Sequence, residues 1–203
     1  MLAIYKKIWL IIYRINTNPN RNIEWEIIKS EPDSIEWHLK KIVIPVVLAI
    51  TLVTFAGYLF ASRIYSYSFI YASIRAIAAF CESFFTLYVS YLLIYELCPK
   101  LGIISGRNSL FKLMTYSFTT FWLALFASGL LANYKTLDDF LPFLGLFGIY
   151  LFWYGAETLL TFSEGKKEKF VIIAVAIVLA VYILIHWSFG FALTAAHFPV
   201  LFN

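Results

Sequence analysis

Charged side chains are scarce in this sequence: Asp, Glu, Lys and Arg make up 14% of its 203 residues, about half the usual share of a soluble domain. With 62% hydrophobic and 20% aromatic residues and a mean hydropathy of +0.79, the composition is that of a membrane protein. Cysteine is nearly absent. Cys81 and Cys98 fall on one expected helix, about 25 Å apart along its axis, too far to bridge, so no disulfide framework is implied. The three histidines, His38, His186 and His197, lie in separate segments and no HExxH or CxxC occurs, so no metal site is expected. Gly102 and Gly106 bracket the loop GIISGRN, but without a preceding strand or a following Lys-Ser/Thr they read as turn glycines and not as a phosphate cradle. The first residues, MLAIYKKIWLIIYRI, have too short an apolar centre, broken by Lys6, Lys7 and Arg14, for a cleaved secretory signal.

Long apolar runs are what the chain does have. A hydrocarbon core of roughly 30 Å needs about 20 apolar residues at 1.5 Å each. Residues 42–61, 113–132 and 170–190 contain no Asp, Glu, Lys or Arg. Two further runs are as long but carry charge: 72–98 includes Arg75, Glu82 and Glu96, and 140–162 includes Glu157. The fold expected is all-α, a polytopic bundle of five transmembrane helices (42–61, 72–98, 113–132, 140–162 and 170–191) preceded by interfacial amphipathic helices over residues 1–41.

Positive charge orients it. Seven Lys or Arg precede the first span, three lie in the second connection (Lys100, Arg107, Lys112) and three in the fourth (Lys166, Lys167, Lys169). The other side has Arg63 and Lys135 only, which places the N-terminus in the cytoplasm and the C-terminus outside. Since the basic residues flank apolar spans and form no separate domain, the net charge of +4 reflects topology, and no nucleic-acid partner is expected. On a helical wheel Lys6, Lys7 and Arg14 share one side, with Ile8, Trp9, Ile12 and Ile15 opposite; such a helix lies on the membrane with its cations toward lipid headgroups, or packs on the protein itself. Asp33 with Glu36 fits a capping box for the helix that runs into the first span, and Pro45 should kink that helix near Lys41. Glu96 and Lys100 have the favourable i to i+4 order of a helical ion pair.

The second span divides into faces. Ala72, Ala76, Ala79, Ser83, Thr86 and Ser90 form a small-residue stripe that lets a neighbouring helix approach closely; Phe80, Phe84, Tyr88, Tyr91 and Tyr95 form an aromatic one. Arg75 and Glu82 share a third, and a carboxylate at this depth should face the bundle interior. Counting rise from the cytoplasmic ends, Glu82 and His186 both lie about 24 Å up, Ser128 about 22 Å and Thr54 about 18 Å, while Glu157 is only about 8 Å up. This predicts an outer-leaflet polar layer of Glu82, His186 and Ser128 with Thr54 and Arg75 at its edges. The reading favoured is that these groups satisfy one another and set helix order, over a proton or ion path. Glu157 is expected to be solvated at headgroup level or to pair with a lysine of GKKEK. Ser83, one residue from Glu82, is turned about 100° away and makes a poor nucleophile and base pair with it. Gly145, Gly148 and Gly155 read as close-packing positions.

The runs EWEIIKSEP, YELCPKLG, MTYSFTTFWLA, FLGLFGIYLFWYG and EGKKEKF, in that order, resemble the bacterial branch of the YIP family, the Ypt/Rab-GTPase-interacting membrane proteins, over residues 23–191. The resemblance implies a five-span domain in the bacterial inner membrane. Family members often have proline where Thr120 stands, which removes the usual cause of a kink in the third span, and an apolar residue or proline where Glu157 stands. The long N-terminal region and the acidic-aromatic Tyr-Gly-Pro motif of the eukaryotic branch are missing, so GTPase binding does not carry over. The expected role is a membrane adaptor or organiser, not an enzyme and without a cofactor, that presents its cationic segment to membrane lipids or to a protein partner. The alternative is a small transporter or channel built on the Glu82 and His186 layer.

Overall fold

The computed structural model describes residues 2–17, 21–65, 69–104, 106–132, 134, 140–163 and 165–195. Among them every regular element is helical: α1 (Leu2–Thr17), α2 (Arg21–Lys29), α3 (Ile35–His38), a π-helical turn (Leu39–Val43), α4 (Ile44–Tyr65), α5 (Phe69–Leu97), α6 (Arg107–Ser117), α7 (Thr119–Leu130), a 3-10 segment (Leu141–Leu146), α8 (Phe147–Leu159) and α9 (Lys167–Ala195). Four helical runs are long and apolar enough to cross a membrane: Ile35–Ala61, Phe69–Leu97, Arg107–Leu130 and Lys167–Ala192. The expected run over 140–162 is different. It is a shorter apolar helix, preceded by a 3-10 segment that opens on a proline.

Proline chemistry shapes the entry to the first run. Pro45 has no N–H to give the carbonyl of Lys41, and the π-helical turn Leu39–Val43 lies across that gap. The cap of the preceding turn is Ser34 and not Asp33: Ser34 has extended backbone and its side chain accepts from the N–H of Trp37. Glu36 instead pairs with Lys40 on the exposed side. Glu96 and Lys100 make no ion pair, because α5 ends at Leu97 and Lys100 falls in a turn, out of helical register.

The third run is not one unbroken helix, although it has no proline. The helix is interrupted at Phe118, where the hydroxyl of Thr119 donates to the carbonyl of Tyr116 at 2.7 Å and competes with the backbone ladder. Gly148 of α8 sits against the same interruption; a Cβ there would come within 2.7 Å of the Ser117 carbonyl oxygen. The small-residue stripe of α5 is buried throughout, and the indole of Trp122 on α7 donates to the carbonyl of Ser83 at 3.2 Å. Its aromatic stripe is a ladder of ring contacts from Phe80 to Tyr95.

One end of the bundle is interlocked. Ile103 and Phe162 form an antiparallel bridge between the loop after α5 and the loop after α8, with Ile104 N–H to Thr161 O at 3.3 Å and Ser163 N–H to Gly102 O at 3.1 Å. Gly102 has φ +70°, and the Lys166 side chain passes close over it, so a larger residue there would meet both backbone strain and a clash. The segment after α2 is tied to the same end: Asn108 Nδ2 donates to Asp33 O at 2.7 Å and Lys112 Nζ to Glu31 O at 2.8 Å. Residue 41 is no boundary in the packing. Ile11, Ile12, Ile15, Trp25 and Ile28 belong to one apolar core with Val47, Leu87, Met114 and Ala156 of the bundle.

Candidate functional site

A cavity of about 470 Å³ lies between α5, α7, the 3-10 segment with α8, and α9. Near its start α9 meets α8 and the loop that follows it, through Phe170 against Phe152 and Phe162 and through Lys167 against Glu157. Farther along α9 a ring contact of Tyr182 with Phe121, 5.3 Å between centroids, bridges to α7. The walls are mostly apolar, as a membrane-facing bundle requires. The polar exceptions cluster at the end remote from the basic loops.

There Glu82 of α5 and His186 of α9 meet, Oε1 to Nδ1 at 2.9 Å, with the carboxylate side chain 10% exposed and the imidazole 29%. A carboxylate only accepts, so opposite an ionised Glu82 the Nδ1 of His186 carries the hydrogen. The ring of Tyr182, one helical turn before His186, lies 5.6 Å from it. Arg75 lines the same cavity and is steadied by α4: its Nη2 donates to the hydroxyl of Tyr58 at 2.9 Å and its guanidinium lies 4.9 Å from that ring's centroid. Ser128 is buried in the cavity wall.

Of the five residues expected to form the polar layer, the structure therefore brings Glu82 and His186 into contact and puts Arg75 and Ser128 on the same cavity. Thr54 is elsewhere. It lies on α4 beneath Gly129 of α7, where a Cβ on that glycine would come within 2.9 Å of its hydroxyl, because the two glycine-bearing helix faces cross there and leave it no path to the cavity. Tyr58 and Tyr182 belong to the site and were not anticipated. Tyr182 had a signal, the i−4 spacing from His186; Tyr58 comes from another helix and had none.

The charges nearer the basic end are settled locally. Glu157 pairs with Lys167 at 2.6 Å, and Lys167 also lies 4.7 Å above the Trp153 ring. In α1, Arg14 is exposed, while Ile12 and Ile15 are buried against the protein and Asn16 exchanges hydrogen bonds with Thr119 and Thr120 at 3.2 and 2.7 Å. The apolar side of that helix is thus at least partly covered by protein. The side chains of Lys6 and Lys7 lie outside the described residues, as do Lys135, His197 and Asn203. Among the described residues no three His, Cys, Asp or Glu side chains gather as a metal site would require.

The chain matches no family model, and no curated protein and no solved structure is significantly similar to it.

The contact between Glu82 and His186 predicts an ordering of variants. Glu82→Gln keeps an acceptor for His186 and should leave the solubilised protein nearly as stable as the native one. Glu82→Leu should cost about 0.6 to 2 kcal/mol, the range of polar pairs in membranes. Thermal unfolding of the three proteins in one detergent measures this, and equal midpoints for the Gln and Leu variants would mean that the pair does not contribute.

Proposed function

We propose that this chain is a five-span integral membrane protein that acts, without catalysis, as an adaptor or organiser, holding a basic cytoplasmic platform at one end of the bundle. The observation that carries the proposal is the interlocked end. Lys29, Lys40, Lys41, Lys100, Arg107, Lys166, Lys167 and Lys169 belong to segments tied together there by the loop bridge and by the Asn108 and Lys112 contacts. Clustering of Lys and Arg in short connections is the property that keeps such loops cytoplasmic.

The same bridge supports the fifth crossing. The chain leaves the basic end in α6, and by Phe162 it is back at Ile103. The 3-10 segment at about 2.0 Å per residue and α8 at about 1.5 Å together rise roughly 31 Å, enough for a hydrocarbon core of roughly 30 Å. The resemblance to the bacterial YIP proteins agrees with this count and with a location in the inner membrane. The direct partner of Glu82 and the apolar cavity walls favour a structural pair over an ion path.

Topology is tested with an impermeant thiol reagent on cells. Single cysteines at Lys135 or Asn203, in a chain whose Cys81 and Cys98 are replaced by serine, should react from outside and those at Lys100 or Lys166 should not. Reversed labelling would sink the orientation. For the adaptor role, a photo-crosslinking residue at exposed Lys40 or Lys100 should trap one and the same protein in cells, whereas at Leu52 or Phe60 it should trap lipid alone. Lipid alone at all four positions would remove the adaptor reading. Proton flux in proteoliposomes that Glu82→Gln abolishes would put a transporter in its place, since an amide cannot titrate.

A further inference from the structure

The cavity has a feature that the adaptor role leaves unused: an apolar, exposed mouth leads to a charged end. Phe143, Leu146 and Ile149 form one lip and Leu179 and Ile183 the other, all five exposed. In a chain that crosses the bilayer such lips face acyl chains, so what enters comes from the hydrocarbon phase; a peptide or nucleotide would have to leave its polar groups unsolvated on the way. The lining of α9 runs from Ala174 to Gly190, a rise of about 24 Å, longer than the roughly 15 Å of hydrocarbon in one leaflet. A volume of about 470 Å³ is in the range of ligand sites, which are mostly apolar with a few placed polar groups.

The geometry points to a lipid site: the cavity takes one hydrocarbon chain of a bilayer phospholipid, which enters sideways between α9 and the 3-10 segment and sets its phosphate against Arg75, above the Glu82 and His186 pair. A guanidinium is the side chain that best matches phosphate oxygens. The carboxylate of Glu82 is engaged by His186, which limits its repulsion of an anionic head. The apolar walls then hold the chain, each buried methylene contributing as it does in any lipid anchor. This site is separate from the basic platform and rests only on the membrane-crossing part of the proposed function.

The test uses the full-length protein in vesicles with phosphatidylglycerol that carries a diazirine on one chain, and in parallel diacylglycerol with the same chain. Cross-links should concentrate on residues 143–152 and 174–190, at least fivefold above those at Leu52 and Phe60, and phosphatidylglycerol should label the cavity at least fivefold more than diacylglycerol. Val178→Trp, which fills the cavity, should cut that labelling about tenfold; Ile183→Trp, on the exposed lip, should do the same without touching the core. Arg75→Gln should abolish the preference for phosphatidylglycerol. Labelling at Leu52 and Phe60 reports insertion, so its absence overturns the membrane crossing itself. Cavity labelling no denser than at those two positions, or undiminished in both tryptophan variants, overturns the lipid site while leaving the crossing intact. Equal labelling by the two lipids overturns the phosphate assignment at Arg75.

Discussion

Replacing Gly57 with alanine should destabilise the protein more than any other single methyl group added to it. At the crossing of α4 and α7 a Cβ on Gly57 would lie 1.9 Å from the carbonyl oxygen of Gly129 and 3.0 Å from its carbonyl carbon. Backbone atoms inside a helix cannot rotate aside, so the two helices must separate. The contact is close on both sides, since a Cβ on Gly129 would lie 2.9 Å from Thr54 Oγ1. Alanine is favoured over glycine in a helix interior by about 1 kcal/mol, and overpacking costs about 1 to 3 kcal/mol, occasionally more. With a backbone carbonyl as the obstacle the upper end applies, and the net loss should be about 2 kcal/mol. Gly190, whose Cβ would meet open space, is the control: Gly190→Ala should gain the propensity term and lose nothing. Thermal unfolding in a single detergent compares the two, and a Gly57→Ala midpoint equal to or above that of Gly190→Ala would show that the helices are not in contact there.

Lys112→Met should release the N-terminal segment from the bundle. The ammonium of Lys112 is 2% exposed and donates to the carbonyls of Glu31 at 2.8 Å and Lys29 at 3.4 Å, just past the end of α2. Those carbonyls belong to a helix C-terminus and lack intrahelical donors, so a cation from α6 closes the helix from outside. Asp33, 3.6 Å away, is 57% exposed, and its share is discounted for solvent screening. Methionine fits the volume but donates nothing. Leaving a buried acceptor without its donor costs about 1 to 3 kcal/mol. Amide exchange in α2 should accelerate at least tenfold in Lys112→Met, with α5 and α9 unchanged. Lys112→Arg, which keeps the charge and the donors, should recover part of the protection. An α2 that exchanges no faster in the methionine variant would mean that Trp25, buried against Gly155 and Leu113, holds the segment by itself.

Much of the architecture was legible because membrane solvation acts on composition. Residues 42–61 can be uncharged and apolar over 20 positions only if they leave water, and the runs over 72–98, 113–132 and 170–191 correspond to long apolar helices. The small stripe of α5 was legible for a related reason: close helix approach needs small residues at helical spacing, and these six are buried. So was the meeting of Glu82 with His186, since rise per residue converts chain position into depth and few polar groups share that level.

What the linear order could not give is decided by which helices become neighbours. Lys112 reads as one more flanking cation, yet it is buried because the chain folds residues 29–33 over it. Thr54 has the depth expected of the polar layer but sits at a helix crossing, since depth along a helix says nothing about azimuth in a bundle. The interruption of the helix at Phe118 was concealed because it coincides with a threonine hydroxyl bonded to the backbone and not with a proline. The 3-10 segment that lengthens α8 depends on Gly145 and Gly148 packing against Phe121 and Ser117. By itself the sequence determined a helical, membrane-type chain, its apolar runs, its charge asymmetry and the level of its buried carboxylate, all one-dimensional consequences of solvation and helical rise. The cavity, the clamp on α2 and the partners of Arg75 were decided only by tertiary packing, because each requires groups from two or more helices whose rotations no single helix specifies.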